Sequence, residues 1–132
     1  MREIRYRGIG IAERKWVFGS LWFDTRNEAT LIWSEELEYW VRVDPSTVGE
    51  YTGLKDKNGK EIYEGDVIRS PLSEDKTRPH RIFYHTGNAA FMGALVDRKE
   101  LCYLRLDQDW IYKFGKEVIG NIHDNPELLK NE

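Results

Sequence analysis

Three histidines, one cysteine and the carboxylates of Glu64 and Asp66 are among the residues of this chain whose types could do chemistry. A metal centre needs such ligands converging on one ion. His80 and His85 lie around a run that reads as a strand, with side chains facing opposite sides of it, and His123 has no Cys or His near it in sequence. No metal site is expected. Glu64 and Asp66 bracket Gly65, and a catalytic pair there would need burial to raise the pKa of one member. Asp in a turn more commonly accepts backbone N–H bonds, so a solvated structural turn is expected instead. Cys102 sits between Leu101 and Tyr103 in an apolar run, the setting of a buried, inert thiol.

No G-x-S-x-G elbow, phosphate-binding P-loop or complete dinucleotide-binding glycine pattern occurs, and Gly8-Ile9-Gly10 is a fragment with no helix after it. No catalytic residue and no cofactor are assigned, and the chain is read as non-enzymatic. Two groupings concern binding instead. Arg69, Lys76, Arg78 and Arg81 outnumber Glu74 and Asp75, with Phe83 and Tyr84 just behind. Cations beside aromatics can hold phosphates and stack bases, although a solvated loop of mixed charge is the plainer reading. Trp16, Phe18 and Trp22 share one side of a strand that is apolar on both sides. Such a strand needs cover from two directions, and Trp is favoured at interface centres, so these three are candidates for self-association. Packing of Trp16, Trp22, Trp33 and Trp40 inside the chain is the competing reading.

The elements that must position these residues are mostly strands. Ile4 and Tyr6 alternate with Glu3, Arg5 and Arg7 up to Gly8 and Gly10, the period-two mark of a strand. Strands follow over 15–23, 30–33 and 38–43, with Ser34 to Glu38 either a single helical turn or a loop. Asp44-Pro45 stops the last of them, and Ser46 and Thr47 can cap a short turn, Thr47 and Glu50 standing at capping-box spacing. A boundary is expected here, between a β-subdomain over 1–46 and a second body over 47–132.

The second body is organised by Tyr51 to Arg69. Asn58-Gly59 accepts positive φ cheaply, as a tight hairpin turn requires, and Glu64-Gly65-Asp66 gives a second turn before the apolar Val67-Ile68. Two closely spaced turns feeding a strand suit the start of an SH3-like β-barrel. Further strands are expected over 81–85, 89–96, 101–106 and 117–122. Asp107 to Lys116 fits either a strand, through Trp110, Tyr112 and Phe114, or a helical turn capped by Asp107. Asn125 followed by Pro126 marks a short C-terminal helix.

At 132 residues the chain can bury a core without covalent staples, and 13% aromatic content leans towards β structure. A single cysteine allows no intrachain disulfide, and no apolar run approaches the roughly 18 residues of a membrane span. Met1-Arg-Glu-Ile lacks the apolar centre of a signal peptide, so a cytoplasmic protein with no membrane contact is expected. The net charge of −3 gives no global attraction to nucleic acid.

Four stretches carry a family resemblance: R-E-I-R-Y-R-G at the start, W-V-F-G-S-L from Trp16, V-D-P-S-T-V-G-E-Y-T-G-L-K-D-K-N-G-K-E-I-Y-E-G-D-V-I from Val43, and V-I-G-N-I-H-D-N-P-E-L-L near the end. Together they resemble the YopX family of small phage and prophage proteins. Glu50 and His123-Asp124 depart from its pattern, and Ser70 to Pro79 and Asp107 to Lys116 match nothing in it. The resemblance implies a mainly β fold with an SH3-like barrel and an N-terminal part that mediates self-association, in the cytoplasm of a bacterial host. It supplies no catalytic or ligand residues. The expected role is a binding or assembly module, a homo-oligomer with a host or phage protein as partner, and the alternative is a nucleic-acid-binding protein using the Arg69 to Arg81 loop.

Overall fold

The computed structural model describes residues 3–70, 79–96 and 103–129, and its contacts divide the chain into two compact units, Met1–Tyr51 and Thr52–Glu132. The fold is mainly β, with two antiparallel sheets and one short α-helix among the described residues.

In the first unit β1 (Tyr6–Ile9), β2 (Trp16–Asp24), β3 (Ala29–Ser34) and β4 (Trp40–Arg42) form an antiparallel meander in the order β4-β3-β2-β1. β1 starts later than its alternation suggests and runs on through Gly8. A side chain at Gly8 would meet Ile32 and Val43 at 3.2 Å, so glycine is what lets the strand cross the core there. The sheet curls until its outer strands touch at one end. Gly10 bridges Val43, the Ile11 amide donates to the Arg42 carbonyl at 3.0 Å, and the Asp44 amide donates to the Ile9 carbonyl at 2.8 Å. Val17, Ile32 and Val43 fill the concave side, with Tyr6, Val41 and Val48 packed against them. Burying each of these aliphatic side chains contributes roughly 1.5–3 kcal/mol.

A 3-10 turn over Pro45–Thr47 follows. Its cap is Asp44, whose carboxylate accepts from the Ser46 amide at 3.0 Å, rather than Ser46 or Thr47. Thr47 is used elsewhere: its hydroxyl accepts from the Ile9 amide at 2.8 Å and donates to the Asp44 carbonyl at 2.6 Å, tying the turn to β1.

β5 (Gly49–Lys55) begins in the first unit, where Gly49 and Glu50 pair with Arg7 and Tyr6, and passes into the second as one arm of a hairpin with β6 (Glu61–Tyr63). The Asn58-Gly59 turn forms as its chemistry requires, with Gly59 at φ 84° and its amide donating to the Asp56 carbonyl at 3.0 Å. β7 (Asp66–Arg69), β8 (His80–His85), β9 (Ala90–Leu95), β10 (Tyr103–Arg105) and β11 (Glu117–Asn121) make an antiparallel sheet in the order β10-β9-β8-β7-β11. Of the two readings of 107–116, the helix is realised as α1 (Gln108–Lys113), because the Asp107 carboxylate caps it by accepting from the Trp110 amide at 2.8 Å. Ile62, Ile68, Ile82, Leu106 and Ile111 form the second core. The chain closes on a 3-10 turn, Pro126–Leu129, where the short terminal helix is expected.

Candidate functional site

The first unit has two chemically different sheet faces. Residues directly opposite in an antiparallel pair share a face, and faces alternate along each strand. Phe18 opposes Arg7, Ser20 opposes Trp33, Trp22 opposes Leu31, and Trp33 opposes Trp40. That register gathers Trp16, Phe18, Trp22, Trp33 and Trp40 on the convex face, away from the Val17, Ile32 and Val43 core.

The convex face is open over β2, β3 and β4, whereas Arg7 and Ile9 on β1 share it and are buried. Phe18, Trp22, Trp33 and Trp40 retain 41%, 48%, 39% and 43% of their surface. Trp40 lies at the centre of a ring cluster, 5.5 Å from Trp22 in a tilted contact and 5.5 Å from Trp33 edge-on. Trp16 differs, being half-buried with the Arg7 guanidinium 4.5 Å over its ring. Each open ring leaves on the order of 100 Å² exposed. Four together make an apolar patch of roughly 400 Å², within the range of the largest patch on an ordinary soluble protein, which is often functional.

At one end the sheet narrows to two strands. β1 pairs with β2 only from Trp16 to Gly19, and β4 with β3 only from Leu31 to Trp33. Toward the hairpin tip β2 carries apolar residues on both faces: Trp22 on one, Leu21 and Phe23 on the other, the last two 38% and 56% exposed. The hairpin tip is polar and ordered. Asp24 accepts from the Arg26 amide at 3.0 Å and from the Asn27 side-chain amide at 2.8 Å, and Glu28 takes the left-handed conformation at φ 49°.

The other end holds a groove of about 540 Å³ between the turns 10–15 and 34–39, walled by Ile11, Trp16, Phe18, Leu37, Tyr39 and Trp40. Ser34 and Glu38 fold the second lip. The Leu37 amide donates to the Ser34 hydroxyl at 2.9 Å and the Glu38 amide to the Ser34 carbonyl at 2.8 Å, so this stretch is a tight turn with Glu38 at φ 58°. Arg5 pins the lip by binding Glu35 at 2.8 Å. Gly19 sets the spacing of β2 and β3, since a Cβ there would overlap the Trp33 carbonyl oxygen.

The remaining candidates are dispersed. Arg69 and Arg81 are half-buried sheet residues on β7 and β8, with the Arg81 guanidinium 5.3 Å over the Phe83 ring. Lys76, Arg78 and Cys102 lie outside the described residues. His80 faces the second core, edge-on to Trp110 at 5.9 Å, while the His85 imidazole accepts from the Asn88 amide at 3.0 Å on the opposite face of β8. Asp66 is not solvated as the turn reading has it. It is 1% exposed, and its carboxylate accepts from the Tyr63 amide at 2.8 Å. The reason is that its turn is enclosed, the Gly65 amide donating to the Ile82 carbonyl at 2.8 Å and the Gly65 carbonyl accepting from the Ile122 amide at 2.9 Å.

Sequence alternation groups Trp16, Phe18 and Trp22 but not Trp33 and Trp40, because adding them requires the register of β3 and β4. The signal was the pair of turns at 24–28 and 34–39, whose lengths fix that register.

Comparison with known proteins bears on the whole chain. No curated protein matches it. Among solved structures, the crystal structure of protein EF1440 from Enterococcus faecalis superposes with a TM-score of 0.64 at 26% identity, covering 98% of this chain and 100% of that one. The family described as YopX protein matches residues 5–130, nearly the full length, and the chain belongs to the YopX family.

Proposed function

We propose that this protein is a non-enzymatic binding and assembly module whose first unit associates with further copies of the chain through its convex aromatic face. The observation that supports this most is the cluster of Trp22, Trp33 and Trp40, rings in mutual contact yet each open over two-fifths or so of its surface. Rings that only completed an internal core would be covered. A standard interface buries about 800 Å² per partner around an apolar, aromatic centre, and the roughly 400 Å² patch is suited to be that centre.

The second unit is read as an SH3-like barrel. The β5–β6 hairpin, the two turns at Asn58-Gly59 and Glu64-Gly65-Asp66, and the five-stranded antiparallel sheet support that reading. We read the protein as one of phage or prophage origin acting in the host cytoplasm, a reading that the family resemblance supports. No helix of the described residues is long and apolar enough to cross a membrane. Light scattering coupled to gel filtration tests the reading. A mass above the 15.6 kDa of one chain, returning to it in the variant Trp22→Glu, is the expected result.

A further inference from the structure

The second unit has a face of its own that the aromatic sheet of the first does not explain. In the β10-β9-β8-β7-β11 sheet, Arg105 opposes Met92 and Met92 opposes Phe83, so these three form one row across β10, β9 and β8. Two residues along β8 lies Arg81, which opposes Val67, and two residues along β7 from Val67 lies Arg69. Faces alternate along strands, so Arg69, Arg81, Phe83, His85, Met92 and Arg105 all lie on the side away from Ile68 and Ile82, the core side; Val67 and Ala94 share it and are buried, and Leu128 of the C-terminal turn covers Gly120 at its β11 edge.

The charge of this face opposes that of the molecule. The chain carries a net −3, whereas among the described strand residues three arginines stand here against one carboxylate position, Glu117 opposite Arg69. Glu117 is also within 3.5 Å of the Lys57 ammonium, which offsets it further. Phe83 is the centre of the arrangement. The Arg81 guanidinium lies 5.3 Å over its ring, the His85 ring meets it at 6.0 Å, and Arg105 lies two strands away, roughly 10 Å by strand spacing.

We infer that this face binds single-stranded nucleic acid, with Arg69, Arg81 and Arg105 taking phosphates and Phe83 and the Arg81 guanidinium plane stacking bases. Aromatic rings flanked by cations on a sheet face are the means by which sheets hold unpaired bases, and Arg81, Phe83 and Met92 are each part-exposed here. A five-stranded sheet spans roughly 20 Å across its strands, wider than the roughly 12 Å major groove, so a duplex cannot seat its base edges on Phe83. A single strand can turn its bases onto the ring. The site rests on the second unit alone and needs nothing from the first unit's convex face. It also moves the nucleic-acid reading from the Arg69 to Arg81 loop to the sheet, keeping Arg69 and Arg81 and adding Arg105.

Fluorescence anisotropy of the full chain with labelled oligothymidylate and oligouridylate of about 15 nucleotides tests it. The expected result is saturable binding whose log–log salt slope is about −2, near 0.7 per neutralised phosphate. The variant R81E/R105E is expected to lose at least about tenfold in affinity and to flatten the slope by about 1.4. Phe83→Leu keeps an apolar side chain but removes the ring, and is expected to cost about tenfold without changing the slope. Arg26→Glu, on the first unit's hairpin tip, is expected to bind as the unaltered protein does, and thermal melting checks that each variant is folded. Absence of binding at about 50 mM salt overturns the proposal, as does full affinity in folded R81E/R105E. Equal affinity for a duplex of the same length overturns it too, and equal competition by polyglutamate reassigns the face to acidic polypeptides.

Discussion

Trp22 and Trp40 stand on strands that do not pair with each other, yet their rings meet at 5.5 Å across the intervening β3. The contact joins the projecting β2–β3 hairpin to the groove end of the same sheet, so the convex face is one continuous aromatic surface. If that surface is the centre of an interface, truncating either ring should cost far more in association than in folding. Trp22→Ala and Trp40→Ala are each expected to raise the dissociation constant about thirtyfold or more, near 2 kcal/mol, while shifting urea stability by less than about 1 kcal/mol. Analytical ultracentrifugation beside urea melts separates the two effects. The double variant should show coupling of about 0.5–1.5 kcal/mol, since the rings touch.

Asp56 holds the organising turn of the second unit. It is 1% exposed, and its carboxylate accepts from the Asn58 amide at 2.8 Å, the Lys60 amide at 2.9 Å and, across to β11, the Val118 amide at 3.0 Å. Asp56→Ala removes the buried acceptor of three part-buried hydrogen bonds and is expected to cost about 2–3 kcal/mol. Asp56→Asn keeps one oxygen for the turn and is expected to cost less. Urea unfolding measures both, and hydrogen exchange should show the Val118 amide losing protection in each.

Gly19 is fixed both by its neighbour and by its own backbone, which holds φ at 154°, a conformation that L side chains rarely adopt. Adding a methyl group there would drive it into the Trp33 carbonyl oxygen, so Gly19→Ala must part β2 from β3. A loss of about 1–3 kcal/mol is expected by thermal melting, with weaker association as Trp33 moves. Gly59→Ala has open space around the new methyl group but keeps φ 84°, and is expected to cost about 1 kcal/mol.

The hairpin tip should respond to acid. The Asn27 side-chain amide holds the Asp24 carboxyl below its ordinary value of 3.8, aided by the Arg26 and Asn27 backbone amides and partly opposed by desolvation. A carboxyl whose folded pKa is depressed stabilises the fold fully above its ordinary value, and that stabilisation fades as pH falls through the lower, folded value. Nuclear magnetic resonance should therefore show the Asn27 side-chain amide shifting only below about pH 3.8, and Asp24→Asn should abolish that acid-dependent shift.

What the sequence made legible was local. Asn58-Gly59 announced its turn, Asp107 offered the cap that α1 uses, and alternation placed Trp16, Phe18 and Trp22 on one face. What it hid was distant. The oxygen that Asp56 lends to Val118 acts across most of the second unit, and nothing in D-K-N-G-K names that partner. Gly8 looked like the end of β1 because glycine usually weakens a strand, whereas here it sits inside one, where Ile32 and Val43 would crowd an added side chain at 3.2 Å. Trp33 and Trp40 joined the site only through cross-strand register, and Arg105 joined Arg81 and Phe83 by the same route.

The account turns on whether the open aromatic face of the first unit is covered by another copy of the chain. Sedimentation equilibrium of the full chain across micromolar concentrations measures this directly. An oligomer that Trp22→Glu converts to folded monomer is the predicted result. A 15.6 kDa monomer at every concentration, or an oligomer indifferent to Trp22→Glu, would contradict it.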